Sequence, residues 1–192
     1  ELDGQAQVDL AVQGSRDTLE AVAREKSEVE MLLDLARETE AAGTDAKAEA
    51  LLELIYKLQQ EESGPSLKVL IFTEFVPTQA MLSGFLESRG FSVALLNGSM
   101  DLDTRTKAQQ VFSQDVRILV STDAGGEGLN LQFCHVIVNF DMPWNPMRVE
   151  QRIGRIHRTG QSRPIDVYHL VSEGGLEARI AELIGNKRAL FS

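Results

Sequence analysis

Cysteine occurs once in the 192 residues, at Cys134. A lone thiol excludes a disulfide scaffold and any zinc site built from several cysteines. Aromatic residues are few, 6% of the chain, with one tryptophan, Trp144. No run of about 18 apolar residues occurs, which excludes a membrane-spanning helix. The opening ELDGQAQVDL has neither a basic stretch nor an apolar one behind it, and so does not read as a signal peptide. It also lacks an initiator methionine, and the chain is expected to be a piece of a longer protein. Phosphate-binding signatures are missing too. There is no GxGxxG and no GxxxxGK[ST], and no DExx acidic motif. Without a phosphate-cradling lysine and a carboxylate for magnesium, phosphoryl transfer lacks its core parts.

What remains is ordinary globular material, 43% hydrophobic and 25% charged. The length suits one domain with an appendage and can bury a full core. The formal net charge of −10 is unevenly spread. Residues 1–66 carry 16 acids and 6 bases, whereas residues 67–192 carry 13 of each. An acidic protein is normally a poor nucleic-acid binder, but here the excess lies in the first third. Five arginines gather late in the chain: Arg148, Arg152, Arg155, Arg158 and Arg163, with Glu150 the one acid in that stretch.

Periodicity divides the chain the same way. Residues 1–14 show none and are expected to be irregular. From Asp17 to about Ala42, apolar residues recur at Leu19, Val22, Val29, Leu32, Leu33 and Ala36, a helical spacing. Thr44 or Asp45 opens a second helix, which Ser63-Gly64-Pro65-Ser66 breaks. The period then changes. Short apolar runs at 68–73, 91–96, 116–121, 135–140 and 165–171 read as strands. Residues 77–89, 101–113, 146–155 and 176–190 read as helices between and after them. Such alternation predicts an α/β fold with a doubly wound parallel sheet.

Ligands of such sheets sit beyond the carboxyl ends of the strands. Three segments there carry chemistry. Ser121-Thr122-Asp123-Ala124-Gly125-Gly126-Glu127-Gly128 follows the third strand. Its glycines allow close approach of backbone N–H groups to a phosphate; Ser121 and Thr122 can donate to phosphate oxygens, and Asp123 can accept from a ribose hydroxyl. A tight turn that needs glycine is an equal reading. Gln151 to Gln161 brings Arg152, Arg155 and Arg158 three residues apart, roughly on one face. Three such cations repel unless an anion sits between them, which suits an arginine finger on a γ-phosphate. The bland reading is a solvated basic surface. In the third segment, Asp141 to Pro146, Trp144 sits in a proline-flanked loop, either as a stacking platform for a base or as a buried anchor.

Together these segments closely resemble the second RecA-like lobe of superfamily 2 helicases and translocases, in the Swi/Snf-type branch. Lys68 to Phe75 looks like motif IV, and Asn97-Gly98-Ser99 with Arg105 and Phe112 matches the pattern that follows it. Ser121 to Gln132 looks like motif V. Phe140-Asp141 with Trp144-Asn145-Pro146 resembles the signature that links motifs V and VI, and Gln151 to Gln161 looks like motif VI. The resemblance covers about residues 44–190; Glu127 and Gly154 resemble the bacterial, polymerase-recycling-like group. Residues 1–43 then form an acidic helical linker or insertion, residues 44–192 the lobe, and the C-terminus looks cut.

The resemblance implies half of a motor. ATP and magnesium would bind mainly on a first RecA-like lobe that this chain lacks. Arg155 and Arg158 would reach the γ-phosphate and Gln151 would sense it; Asp123, Gly126, Glu127 and Arg152 complete the nucleotide side, Arg152 either pairing internally or reaching the nucleotide. Asn97, Gly98, Ser121, Thr122, Gly125 and Trp144 would meet nucleic acid, expected to be double-stranded DNA, through its backbone and so without sequence information. For the acidic helices three readings stand: binding a protein partner, covering a DNA groove, or, as the bland reading, packing alone. No membrane role is implied, and the expected compartment is cytoplasmic: the bacterial cytosol or nucleoid, or the nucleus in a eukaryote. Three alternatives stand beside this one. They are the same lobe in a strand-separating DNA or RNA helicase, a binding module without an ATPase lobe, and a small-molecule α/β enzyme. Against the last, Cys134, Asp141 and His157 show no triad spacing.

Overall fold

The computed structural model describes residues 4–41, 45–62, 67–125, 131–156, 164–173 and 178–179. It forms two compact units, Glu1–Thr44 and Asp45–Ser192.

The first unit is one helix, α1 (Gly4–Ala41). At 38 residues it is about 57 Å long. The irregular start expected for residues 1–14 is therefore corrected. Gln5, Ala6, Leu10, Ala11 and Gln13 are good or acceptable helix formers, and a single interior Gly14 costs only about 1 kcal/mol. Ion pairs one turn apart lie along it, Arg24 with Glu20 at 3.9 Å, Lys26 with Glu30 at 3.7 Å and Arg37 with Asp34 at 3.2 Å. Among the described residues, no helix is long and apolar enough to cross a membrane.

The second unit begins at α2 (Ala46–Glu61), whose first turn is capped by the Asp45 carboxylate accepting from the amides of Lys47 and Ala48. The order is then β1 (Val69–Thr73), α3 (Val76–Glu87), β2 (Val93–Leu96), α4 (Leu102–Gln114), β3 (Ile118–Thr122), β4 (Val136–Asn139), α5 (Pro146–Ile153) and β5 (Asp166–His169). The strands are shorter than their apolar runs at the ends, where pairing stops. The helix expected at 176–190 lies almost wholly outside the described residues.

All four strand pairings are parallel, in the order β2-β3-β1-β4-β5. Strands β1, β3 and β4 are buried on both faces, which is why they read as continuous apolar runs rather than alternations. Successive residues serve opposite faces. Val69 and Ile71, with Ile118, Val120, Val136 and Val138, pack under α2 and α3 against Leu51, Ile55, Leu82 and Leu86. Leu70, Phe72, Leu119 and Ile137 face the other way and meet Phe112 of α4, Ile153 of α5 and Ile156 in the turn after it. This is a RecA-like sheet with helices on both faces. The chain leaves β1 toward one edge of the sheet and leaves β4 toward the other, so the order reverses between these neighbours. Their carboxyl ends form the switch point where such sheets hold ligands.

Candidate functional site

Arg152 organises the switch point. Its side chain is 2% exposed, and a cation so placed must be fully partnered. The Nε donates to Asp123 Oδ1 at 2.6 Å and Nη2 to Asp123 Oδ2 at 3.1 Å, a two-pronged pair. Nη1 donates to Asn139 Oδ1 at 2.8 Å and to the Asp141 carbonyl at 3.2 Å. The guanidinium lies over the Phe72 ring, 5.2 Å from its centroid. One side chain of α5 thus ties together residues at the ends of β1, β3 and β4.

Asp141 makes the second tie. It accepts from the Thr73 hydroxyl at 2.6 Å and from the Glu74 amide at 3.0 Å through each oxygen. The loops leaving β1 and β4 are therefore joined directly. Glu74 sits beside this carboxylate, and its own carboxyl titrates above the ordinary range, first because burial disfavours its charge and then because Asp141 repels it.

A cleft of about 180 Å³ opens over these groups. Phe72, Asp123 and Ala124 come from the strand ends, and Arg148, Gln151, Arg152 and Arg155 from α5 and the turn behind it. Complete small-molecule sites run to roughly 300–1,000 Å³; this one suits an anionic group rather than a whole nucleotide. The arginines differ within it. Arg155 forms no side-chain hydrogen bond or ion pair with any described residue. Arg148 is half exposed, with Nη1 at 3.2 Å from Asp123 Oδ2 and 4.0 Å from Glu74.

Local structure explains why α5 presents this row. Asn145 caps it by accepting from the Met147 amide at 3.0 Å, and Pro146 fits the first turn. Val149 is buried, and Ile153 and Ile156 lock into the core, so Arg148, Gln151 and Arg155 are turned outward. The Arg155 carbonyl also accepts from the Leu131 amide at 3.1 Å.

The glycine-bearing turn after β3 is held from the other side. Arg105 of α4 donates to the carbonyls of Ala124 and Gly125, the latter at 2.7 Å. A Cβ on Gly125 would stand 2.4 Å from the Leu96 carbonyl oxygen, and one on Gly98 would stand 2.8 Å from the Ala124 side chain. Here glycine is required by close packing. Gln79, 1% exposed, donates to the carbonyls of Leu96 and Val120 at 2.8 Å and accepts from Asn97 at 3.1 Å. Asn97 in turn holds Ser99.

The structure thus sorts the expected site residues. Asp123, Gln151, Arg152 and Arg155 converge on the cleft. Arg152 takes the internal pairing, and Asp123 is engaged by both Arg152 and Arg148 rather than free for a ribose hydroxyl. Ser121 and Thr122 are 0% and 4% exposed; Ser121 donates to the Thr122 carbonyl and Thr122 accepts from the Gly125 amide. Their hydroxyls are not on a surface, which corrects the expectation that they meet phosphate. Asn97 is likewise buried and internally bonded, while Gly98 is exposed. Trp144 is 70% exposed, which excludes the buried-anchor reading. Gly126, Glu127 and Arg158 lie outside the described residues. Cys134 is fully buried with its thiol pushed up to about 12, mainly by burial, and is no nucleophile. Sequence reading missed Gln79, Glu74 and Arg148 as parts of this region.

Residues 46–160 match the family model of the helicase conserved C-terminal domain. The chain belongs to this family. An uncharacterised ATP-dependent helicase of Bacillus subtilis (strain 168), YqhH, is 40% identical to this helicase C-terminal domain over 147 residues, 77% of this chain and 25% of that protein. The human chromodomain-helicase-DNA-binding protein 1 is 37% identical over 127 residues, 64% of this chain and 7% of that protein. Among solved structures, the C-terminal part of the Fun30 ATPase domain superposes with a TM-score of 0.67 and 27% identity, covering 73% of this chain and 46% of that one. The helicase C-terminal domain is thus a RecA-like lobe of superfamily 2 with Swi/Snf-type relatives. The chain spans a quarter or less of the length of these curated relatives.

Proposed function

We propose that this lobe is the second half of a nucleic-acid-dependent ATP hydrolase, a Swi/Snf-type DNA translocase. It supplies arginine fingers to ATP held on a first RecA-like lobe. The observation that carries the reading is the cleft at the switch point, where Arg155 stands without a described partner above a fully neutralised Arg152. An arginine that no described residue engages, at a small anion-binding cleft, is what a phosphate in flight needs, and such fingers are worth about 10³–10⁵ in rate. Arg158 joins Arg155 at the γ-phosphate, and Gln151 senses it.

Magnesium does not fit here. Among the described residues no three His, Cys, Asp or Glu side chains are grouped to hold a metal; the Asp123 carboxylate is committed to Arg148 and Arg152, and that of Asp141 to the Thr73 hydroxyl and the Glu74 amide. The ion that accompanies ATP belongs to the first lobe. On the nucleic-acid side, Gly98, Gly125 and exposed Trp144 lie beyond the carboxyl ends of β2, β3 and β4. A relative named as DNA-binding favours DNA over RNA, and the site of action is the cytosol, nucleoid or nucleus. The exposed acidic α1 offers a surface to a protein partner.

In the full-length protein, Arg155→Ala and Arg158→Ala are each expected to cut ATP turnover by about 10³-fold or more while duplex DNA binding persists. Normal turnover in both variants contradicts the assignment.

A further inference from the structure

The cleft holds a second arginine whose pairing leaves it available. Arg148 uses a single nitrogen, Nη1, for both its partners, Asp123 at 3.2 Å and Glu74 at 4.0 Å. Its Nε and Nη2, the pair that forms a two-pronged grip on oxyanions, engage no described residue. The contrast with Arg152 is sharp. Arg152 commits all three of its nitrogens to Asp123, Asn139 and the Asp141 carbonyl and is shut away from solvent. Arg148 lines the cleft while half exposed.

We infer that Arg148 is a ground-state ligand for the polyphosphate of a nucleoside triphosphate, held ready at the cleft by Asp123 and Glu74. The inference rests on the reading of the cleft given above and adds a residue to it. Its role differs from that of a finger. Asp123 and Glu74 fix one nitrogen before the ligand arrives, so the guanidinium is ordered in advance and loses little freedom on binding. A group that already grips the polyphosphate in the ground state contributes equally before and during reaction. Such uniform binding appears in KM and leaves kcat alone. Arg155, which no described side chain holds, contributes where charge develops.

The test is steady-state ATP turnover of the full-length protein at saturating duplex DNA, with equilibrium binding of a non-hydrolysable ATP analogue. Arg148→Gln is expected to raise KM and weaken analogue binding by about tenfold or more, the size of a lost charge-assisted hydrogen bond, with kcat within about twofold of the parent. Arg148→Lys keeps the charge beside Asp123 but loses the planar fork; it is expected to unfold at the parent temperature and still to weaken analogue binding several-fold. It serves as the readout if Arg148→Gln does not fold. Unchanged KM and analogue affinity, with turnover abolished in Arg155→Ala, would overturn the role of Arg148 and leave the finger standing. A loss of kcat at unchanged KM would also overturn it. Normal turnover in Arg155→Ala overturns the underlying reading instead.

Discussion

Arg152 and Arg155 are three residues apart and do different work. Arg152→Ala leaves Asp123, Asn139 and Asp141 without their shared cation, and breaking such a buried pair costs about 3–5 kcal/mol. Arg155→Ala removes no described interaction and should change stability by less than about 0.5 kcal/mol. Urea unfolding of the two variants of this chain checks both values. The spacing rule put Arg152, Arg155 and Arg158 roughly on one face and was silent about partners; Arg152 and Arg155 both line the cleft, and Arg158 lies outside the described residues. Asp123 and Asn139 lie 29 and 13 positions from Arg152, and a count of acids within residues 148–163 finds only Glu150. Glu74 gives a pH prediction at the same scale. Its carboxyl titrates above 4.5 in the native state, so folding favours its neutral form. That contribution is complete below its unfolded pKa and is lost as pH rises through the elevated native value. Glu74→Gln removes this loss, and its unfolding midpoint should fall less than the parent's as pH rises from the ordinary carboxylate range toward neutrality; parallel profiles would contradict the assignment.

At the scale of elements, the strands were legible because burial on both faces leaves a run of apolar residues with no polar interruption. The helices of the second unit were legible because each has one apolar stripe and a stop or cap, as with Asp45 before α2 and Asn145 before α5. The start of α1 was not, because residues 1–14 show no apolar period; the stripe that reveals the rest of the helix begins at Leu19, and Leu19, Val22 and Leu33 are all exposed. The turn after β3 was legible in composition, with a phosphate site and a tight turn as equal readings. Its Gly125 is required by the close approach of the Leu96 and Asn97 backbone. Gly125→Ala therefore forces the β2 and β3 exits apart, and a thermal scan should show a destabilisation of about 1–3 kcal/mol, the usual cost of overpacking. The hydroxyls of Ser121 and Thr122 were misjudged for a related reason. The carboxyl end of a central strand is still inside the sheet, and the exposed ligand-facing residues begin one or two positions later, at Asp123 and Ala124.

For the whole molecule, absence and presence point the same way. The chain has an arginine-lined cleft of about 180 Å³, and it has no phosphate-cradling GxxxxGK[ST] loop. A nucleotide bound here meets groups that stabilise charge but few that would hold it. Under the proposed function another lobe completes this site, and opening and closing of the pair would drive steps along DNA. The most direct measurement is ATP turnover by residues 1–192 alone, with and without duplex DNA, beside the full-length protein. The account expects DNA-stimulated turnover in the full-length protein and none in the isolated chain. Stimulated turnover by the isolated chain, lost on Arg155→Ala, would mean that the site is complete within these residues and would contradict the account.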